Sequence, residues 1–174
     1  MSQALTHRLK KIKLLLLDVD GVLTQGQIVY DHEGKEIKFF HVHDGFAMVL
    51  FQKCGFKTAI LTARYSQAVQ ARAEDLKVDK IIQNAFPKLK AYKELLEELG
   101  LKDEEVCFVA DDLPDLAVFK RVGAAVAVPA AVKDIKEKAH YVTKKQGGEG
   151  AVREVIEMIL KAQGKWNPVL ESFR

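Results

Sequence analysis

The stretch LLLLDVDGVLTQG (residues 14–26) decides the fold. Four consecutive leucines end in two carboxylates, Asp18 and Asp20, and then in Gly21. A continuous apolar run, rather than an alternating one, suits a strand covered on both faces, as inside a parallel sheet. Two carboxylates at the buried end of such a strand repel each other, so something positive has to meet them. Gly21 lets the chain turn at once, which aims both side chains at one ligand and leaves backbone N–H groups free for an anion.

Four further short apolar runs follow: KTAILTA (57–63), KIIQNA (80–85), VCFVADD (106–112) and AAVAVP (124–129). Between them lie segments of helical period. One runs from Asp44, as N-cap, to Gly55, and one follows Ser66 with Val69, Ala73 and Leu76 on one side. Others run from Leu89 to a stop at Gly100, from Pro114 to Gly123, and from Val152 to Leu160. This alternation predicts an α/β fold: a three-layer sandwich with a mostly parallel, Rossmann-like sheet. Right-handed crossovers would line the strand C-termini along one edge, where such sheets bind ligands.

QIVYDHEGKEIKFFHVHD (27–44) departs from this pattern by alternating apolar and polar residues around the turn DHEG. It predicts a β-hairpin over about 27–43, inserted after the first strand and too small to carry its own core. His41 and His43 would share one face of that hairpin as ordinary residues, since no third metal ligand accompanies them. The tail from about residue 164 to 174 has little periodicity and reads as a loose end or a segment that docks elsewhere.

The 174 residues bound one domain spanning 1–174, and 48 % apolar with 29 % charged residues and a net charge of +3 is an ordinary soluble balance. The lysines are scattered and not interleaved with aromatics, which argues against a nucleic-acid partner. Cys54 and Cys107 lie in apolar segments, as reduced and buried thiols of a cytoplasmic protein do. The basic start ahead of the leucines has neither the apolar length nor the cleavage site of a secretory signal. No run approaches the roughly 20 apolar residues of a membrane span. A cytoplasmic protein without a membrane partner is the expectation.

The ends of the predicted strands carry the chemistry. They bring Asp18 and Asp20, Thr62 and Arg64, Lys88, and Asp111, Asp112 and Asp115 to one edge. Acids so crowded call for a hard cation, and Mg²⁺ favours two or three carboxylates plus phosphate oxygens. The set suits phosphoryl transfer: one carboxylate attacks phosphorus and a second moves the proton, while Thr62 and Lys88 meet the phosphoryl oxygens. Asp115 equally suits a cap on the helix opening at Pro114. GGEG (147–150) reads as a turn before the last helix. A phosphorylated receiver domain shares this chemistry, but its acidic pair, phosphorylated aspartate and lysine fall on other strands.

DVDGVLT, Thr62 of ILTAR, Lys88 of FPKLKAY and ADDLPD together resemble the four motifs of the haloacid dehalogenase superfamily of phosphatases. The resemblance implies that Asp18 is the nucleophile and Asp20 the acid/base, with Thr62 and Lys88 holding the phosphoryl group. It implies Mg²⁺ on Asp18, on the backbone carbonyl of Asp20 and on Asp111, with Asp112 and Asp115 in support. Ala110 stands where that family usually has glycine, which would crowd the strand end slightly. The segments LTQGQIVYDHEGKEIKFFHVHDG and GGEGAVREV further resemble a capless subclass, the 3-deoxy-D-manno-octulosonate 8-phosphate phosphatases of lipopolysaccharide synthesis. That likeness implies a homo-oligomer, a tetramer in which one subunit's hairpin covers the next subunit's site, and sugar-acid contacts from Arg64, Gly147 and Gly148. A phosphatase for another sugar-acid phosphate stays open. A non-catalytic assembly domain is disfavoured by the intact Asp20.

Overall fold

A computed structural model describes residues 2–174. In chain order the elements are α1 (Gln3–Leu9), β1 (Leu14–Leu17), β2 (Val29–Tyr30), β3 (Glu36–Ile37), α2 (Val42–Lys53), β4 (Lys57–Leu61), α3 (Gln67–Asp75) and β5 (Lys80–Ile82). They continue with α4 (Lys88–Leu99), β6 (Val106–Ala110), α5 (Leu116–Phe119), β7 (Ala124–Ala127), α6 (Lys133–Lys136), β8 (Tyr141–Val142), α7 (Ala151–Ala162) and α8 (Trp166–Glu171).

Six strands form one parallel sheet in the order β5-β4-β1-β6-β7-β8. β1 lies between β4 and β6, with Leu15 opposite both Thr58 and Cys107. All four of its leucines are fully buried, and each stabilises the fold by about 2 kcal/mol relative to an exposed side chain. From β1 the chain first moves outward to β4 and β5, then crosses back to β6 and outward to β7 and β8. With right-handed crossovers the reversal puts α2 and α3 on one face and α4, α5 and α6 on the other. α7 returns to pack against α2, with α1 and α8 beside it. The gap between β1 and β6 is therefore the switch point of the sheet, and ligands bind where such strands end.

The α/β sandwich matches the sequence expectation, and so does the hairpin. Val29 pairs with Ile37 and Tyr30 with Glu36, and the Asp31 carboxylate accepts the N–H groups of Glu33 and Lys35 to hold the turn.

Several local expectations are corrected. Pairing in the hairpin stops at Ile37, so His41 is the N-cap residue of α2 and His43 lies inside its first turn. The two imidazoles meet edge to face, with centroids 5.1 Å apart, instead of sharing a strand face. Asp44 is not the cap of its own helix; its buried carboxylate reaches Gly150 and Arg153 at the start of α7. The segment at Pro114 begins as a single 3-10 turn, Leu113–Asp115, ahead of the short α5. The tail is a helix, α8, whose Trp166 ring lies 5.3 Å from the Arg153 guanidinium and 5.2 Å from the Lys161 ammonium. Cys107 is buried, which pushes its thiol up to about 12, whereas Cys54 is only half-buried at the end of α2. No helix is long and apolar enough to cross a membrane among the described residues.

Candidate active site

β1 ends at Leu17, and the Asp18 N–H donates to Val109 of β6, which fixes Asp18 at the switch point. The chain then folds tightly: Val22, Leu23 and Thr24 all donate their N–H groups to the Val19 carbonyl. Gly21 makes the turn at φ +86°, and a Cβ there would overlap the Asp111 carboxylate. Only glycine lets the first loop and the end of β6 approach this closely. Ala110, beside Asp111, is opposite Ala127 in the sheet, a neighbour equally small.

Asp18, Asp20, Thr62, Arg64, Lys88, Asp111, Asp112 and Asp115 line one cavity of about 240 Å³. Every residue expected at the strand ends is thus in one wall. Lys88 is the first residue of α4 and is almost wholly buried. Its ammonium donates to Asp18 at 2.8 Å and to Asp115 at 2.5 Å. Asp115 is fully buried and also accepts the Asp112 N–H, while Asp112 caps the 3-10 turn through the Leu113 N–H. Asp115 therefore does both things its position suggests: it caps locally and orients Lys88. Thr62 follows β4, is buried, and accepts the Arg64 N–H at 3.4 Å.

One oxygen each from Asp18, Asp111 and Asp115 lie within 4.8 Å of one another. Three carboxylates so close are costly to ionise together. Burial first, then the Asp115 charge, raises Asp18 to about 6 despite Lys88. Burial first, then Asp18, Asp115 and Asp112, raises Asp111 to about 8. Burial also works against the Lys88 ammonium, but Asp18 and Asp115 outweigh it and hold its pKa above the ordinary value. Asp115 has Lys88 as its counter-ion, whereas among the described residues no cationic side chain bonds to Asp111. Hard oxygen donors whose own repulsion favours added positive charge fit a divalent cation of the magnesium type.

The second acid of the motif has a different setting. Asp20 accepts from Lys38 at 2.5 Å on one oxygen, and Arg64 approaches the other at 3.6 Å. Lys38 and Arg64 both also meet Glu36 of β3, at 3.3 and 2.9 Å. Arg64 is thus a cavity wall already engaged with two carboxylates. Lys38 is a residue that no sequence motif points to. Its spacing of two from Glu36 on an alternating hairpin places them on one face, but the partner Asp20 lies 18 residues back.

Gly147 and Gly148 do not line this cavity. A Cβ on Gly147 would overlap the Gly21 carbonyl, and one on Gly148 would press into the Thr24–Gln25 backbone. The Gly148 N–H donates to Val22 at 2.9 Å. These glycines buttress the first loop from behind.

Comparison with known proteins agrees with this geometry. Residues 52–156 match the haloacid dehalogenase-like hydrolase family. The chain is 42 % identical over 159 residues to a 3-deoxy-D-manno-octulosonate 8-phosphate phosphatase of Yersinia pestis, covering 91 % of this chain and 85 % of that protein. A solved structure of a phosphatase of that name from Moraxella catarrhalis, in complex with a magnesium ion, a phosphate ion and a KDO molecule, superposes with a TM-score of 0.97 at 38 % identity, covering 100 % of each chain. A probable YrbI family phosphatase from Pseudomonas syringae pv. phaseolica 1448a gives 0.96 at 42 % identity, covering 99 % and 98 %. Agreement over nearly the full length, with the acids gathered at the switch point, means that this chain belongs to the haloacid dehalogenase-like hydrolases.

Proposed function

We propose that this protein is a Mg²⁺-dependent phosphomonoesterase that hydrolyses 3-deoxy-D-manno-octulosonate 8-phosphate to the free sugar acid and phosphate, in the cytoplasm, as a step in lipopolysaccharide precursor synthesis. The observation that carries the reading is the buried chain Asp18–Lys88–Asp115 opening into the cavity shared with Asp20, Thr62 and Asp111.

Asp18 attacks phosphorus through a carboxylate oxygen, and the bond from phosphorus to the sugar oxygen breaks. Asp20 gives its proton to that leaving oxygen. In the second step Asp20, now ionised, takes a proton from water as the water oxygen attacks phosphorus, and the Asp18 carboxylate departs with inorganic phosphate formed. Lys88 and the Thr62 hydroxyl donate to the phosphoryl oxygens throughout, and Asp115 holds Lys88 in place. Asp18, the Asp20 carbonyl and Asp111 would hold Mg²⁺, supported by Asp112, and a cation held there would supply countercharge to the phosphoryl group. Arg64 meets the sugar-acid carboxylate by exchanging it for Glu36 or Asp20. Gly147 and Gly148 contribute by setting the loop that carries Asp20.

The assembly we propose is a homotetramer built through the hairpin. Its support is the apolar surface at and beside the hairpin: Phe39 is 74 % exposed and Val42 68 %, with Tyr30 and Phe46 nearby in sequence and also exposed. Patches of this kind mark contacts between chains, and a neighbour's hairpin would exclude water from the open cavity.

The deciding experiment measures kcat/KM for phosphate release with Mg²⁺ over a panel of phosphorylated sugars and sugar acids. A preference of about 100-fold or more for the octulosonate ester is expected, since a site built for specific polar groups rejects analogues lacking them. Broad activity would keep the chemistry and discard the named substrate; no release from any ester would discard both.

A further inference from the structure

We propose that Lys38 is a positioning residue for the proton-transferring carboxylate: by clamping one oxygen of Asp20 from the hairpin side, it presents the other to the leaving group. The inference rests on the phosphatase reading and adds a residue to it.

Lys38 sits just past β3, and its side chain is 1 % exposed. An ammonium so buried must be paired, because desolvating a lone one costs several kcal/mol. Its partners are Asp20 Oδ1 at 2.5 Å and Glu36 Oε1 at 3.3 Å. The Asp20 Oδ2 atom faces Arg64, whose Nε stands off at 3.6 Å, beyond ordinary hydrogen-bond length. Arg64 and Asp20 line the catalytic cavity, and Lys38 does not. It lines a separate hollow with Ile37, Phe39 and Phe40. The two oxygens of Asp20 are therefore unlike. Oδ1 is tied back to the hairpin by a short charge-assisted bond, and Oδ2 faces Arg64, a loose and exposed partner from the cavity wall that can be displaced.

A carboxyl group that must hand a proton to one oxygen atom gains from losing its rotational freedom beforehand. Gly21 and the turn around Val19 fix the Asp20 backbone, but among the described residues the side-chain hydrogen bond to Asp20 comes from Lys38 and not from that loop. Lys38 supplies what the loop does not. Glu36 completes the arrangement, since it holds Lys38 and also accepts from Arg64 at 2.9 Å, which keeps Arg64 from closing fully on Oδ2. The hairpin thus reaches into the chemistry through a side chain of the same subunit, whatever a neighbouring subunit adds over the top.

A proton donor matters most when the leaving oxygen is a poor one. The experiment compares Lys38→Met with wild type on 3-deoxy-D-manno-octulosonate 8-phosphate, whose leaving alkoxide needs protonation, and on p-nitrophenyl phosphate, whose nitrophenolate leaves without it. General acid catalysis contributes about 10²- to 10⁴-fold, so the loss in kcat/KM, which reports phosphoryl transfer to Asp18 and not the later hydrolysis common to both esters, should be larger on the sugar ester than on the aryl ester by about tenfold or more. KM for the sugar ester should change far less than kcat. Lys38→Arg, which keeps a cation, should restore most of the ratio, and Lys38→Gln, which keeps a donor without charge, should restore little. Equal losses on both esters in Met and Gln variants would overturn the proposal, because a hairpin that merely collapsed would hurt both alike. If Lys38→Met does not fold, the Arg and Gln pair gives the same ratio and decides the matter in the same way. Failure of the phosphatase reading is distinct: wild type itself would release phosphate from neither ester.

Discussion

The Asp44 carboxylate accepts the backbone N–H of Arg153 at 2.7 Å and that of Gly150 at 3.2 Å, so a side chain in the first turn of α2 caps α7 from 109 residues away. Asp44 is 1 % exposed, and removing it strands two N–H groups at a buried helix end. Asp44→Ala should cost about 2 kcal/mol of stability. A urea denaturation midpoint within error of wild type would show that the cap does not matter.

Asp18→Asn should abolish turnover while leaving the chain folded, with kcat reduced by about 10⁴-fold or more. The amide cannot form an acyl phosphate at useful rate, yet it keeps the shape of the side chain and can still meet Lys88. Phosphate release at even a tenth of the wild-type rate would remove Asp18 from the nucleophile role. A circular-dichroism melt separates a chemical from a folding defect.

The acids predict an unusual dependence of stability on pH. Asp18 and Asp111 are raised from 3.8 to about 6 and about 8. In the cation-free protein the folded chain therefore retains protons that the unfolded chain has already released. The stability these groups contribute is fully present below pH 3.8 and is lost as pH rises through about 6 and then about 8. Binding Mg²⁺ needs both groups ionised, so the cation has more to relieve at the alkaline end. Melting curves with and without saturating Mg²⁺ at pH 6 and pH 8 test this. The Mg²⁺-induced rise in Tm should be larger at pH 8, and a larger rise at pH 6 would contradict the assignment.

Gly21→Ala should act on Asp111 more than on the backbone. The positive φ costs a non-glycine residue about 1 kcal/mol, but the added methyl would also displace the Asp111 carboxylate. The Mg²⁺ concentration giving half-maximal activity should rise about tenfold or more, in the range seen when a ligand's support is lost. An unchanged Mg²⁺ requirement would mean that Asp111 is not held where this structure places it.

The exposed Phe39 separates assembly from chemistry more cleanly than removal of the hairpin, which would take Lys38 with it. Phe39→Asp should lower both the sedimentation mass and the activity, as expected if the apolar patch is a contact between copies of the chain. A monomer with full activity would sink the proposed role of the neighbour.

Much of the fold is legible in the sequence because its signals are local. Four buried leucines followed at once by acids mark a central strand, and the same logic locates β4, β6 and β7 and the residues at their ends. What escapes is set by distance or by length. β8 pairs through only Tyr141 and Val142, too short for any periodicity to register. Asp44 looks like the cap of the helix that follows it, because a sequence shows the nearest N–H groups and not those 109 positions on. Alternation continues past Ile37 and so suggests a strand for His41 and His43, whereas the backbone has already turned toward α2. Asp18, Asp20, Thr62, Lys88 and Asp111 are visible as motif residues at strand ends. Lys38 shows only as a polar position, since its burial depends on Asp20 and Glu36 folding around it.

The meeting of Gly147 with the Gly21 carbonyl has a consequence for how such a protein is dissected. Two stretches of bare backbone, 126 positions apart by their numbers, touch where neither has a side chain. Truncation to alanine, the usual probe of importance, removes nothing there and would instead insert an obstacle. The contact is one that only enlargement can reveal, and a survey by deletion of atoms would score the support of the first loop as empty space.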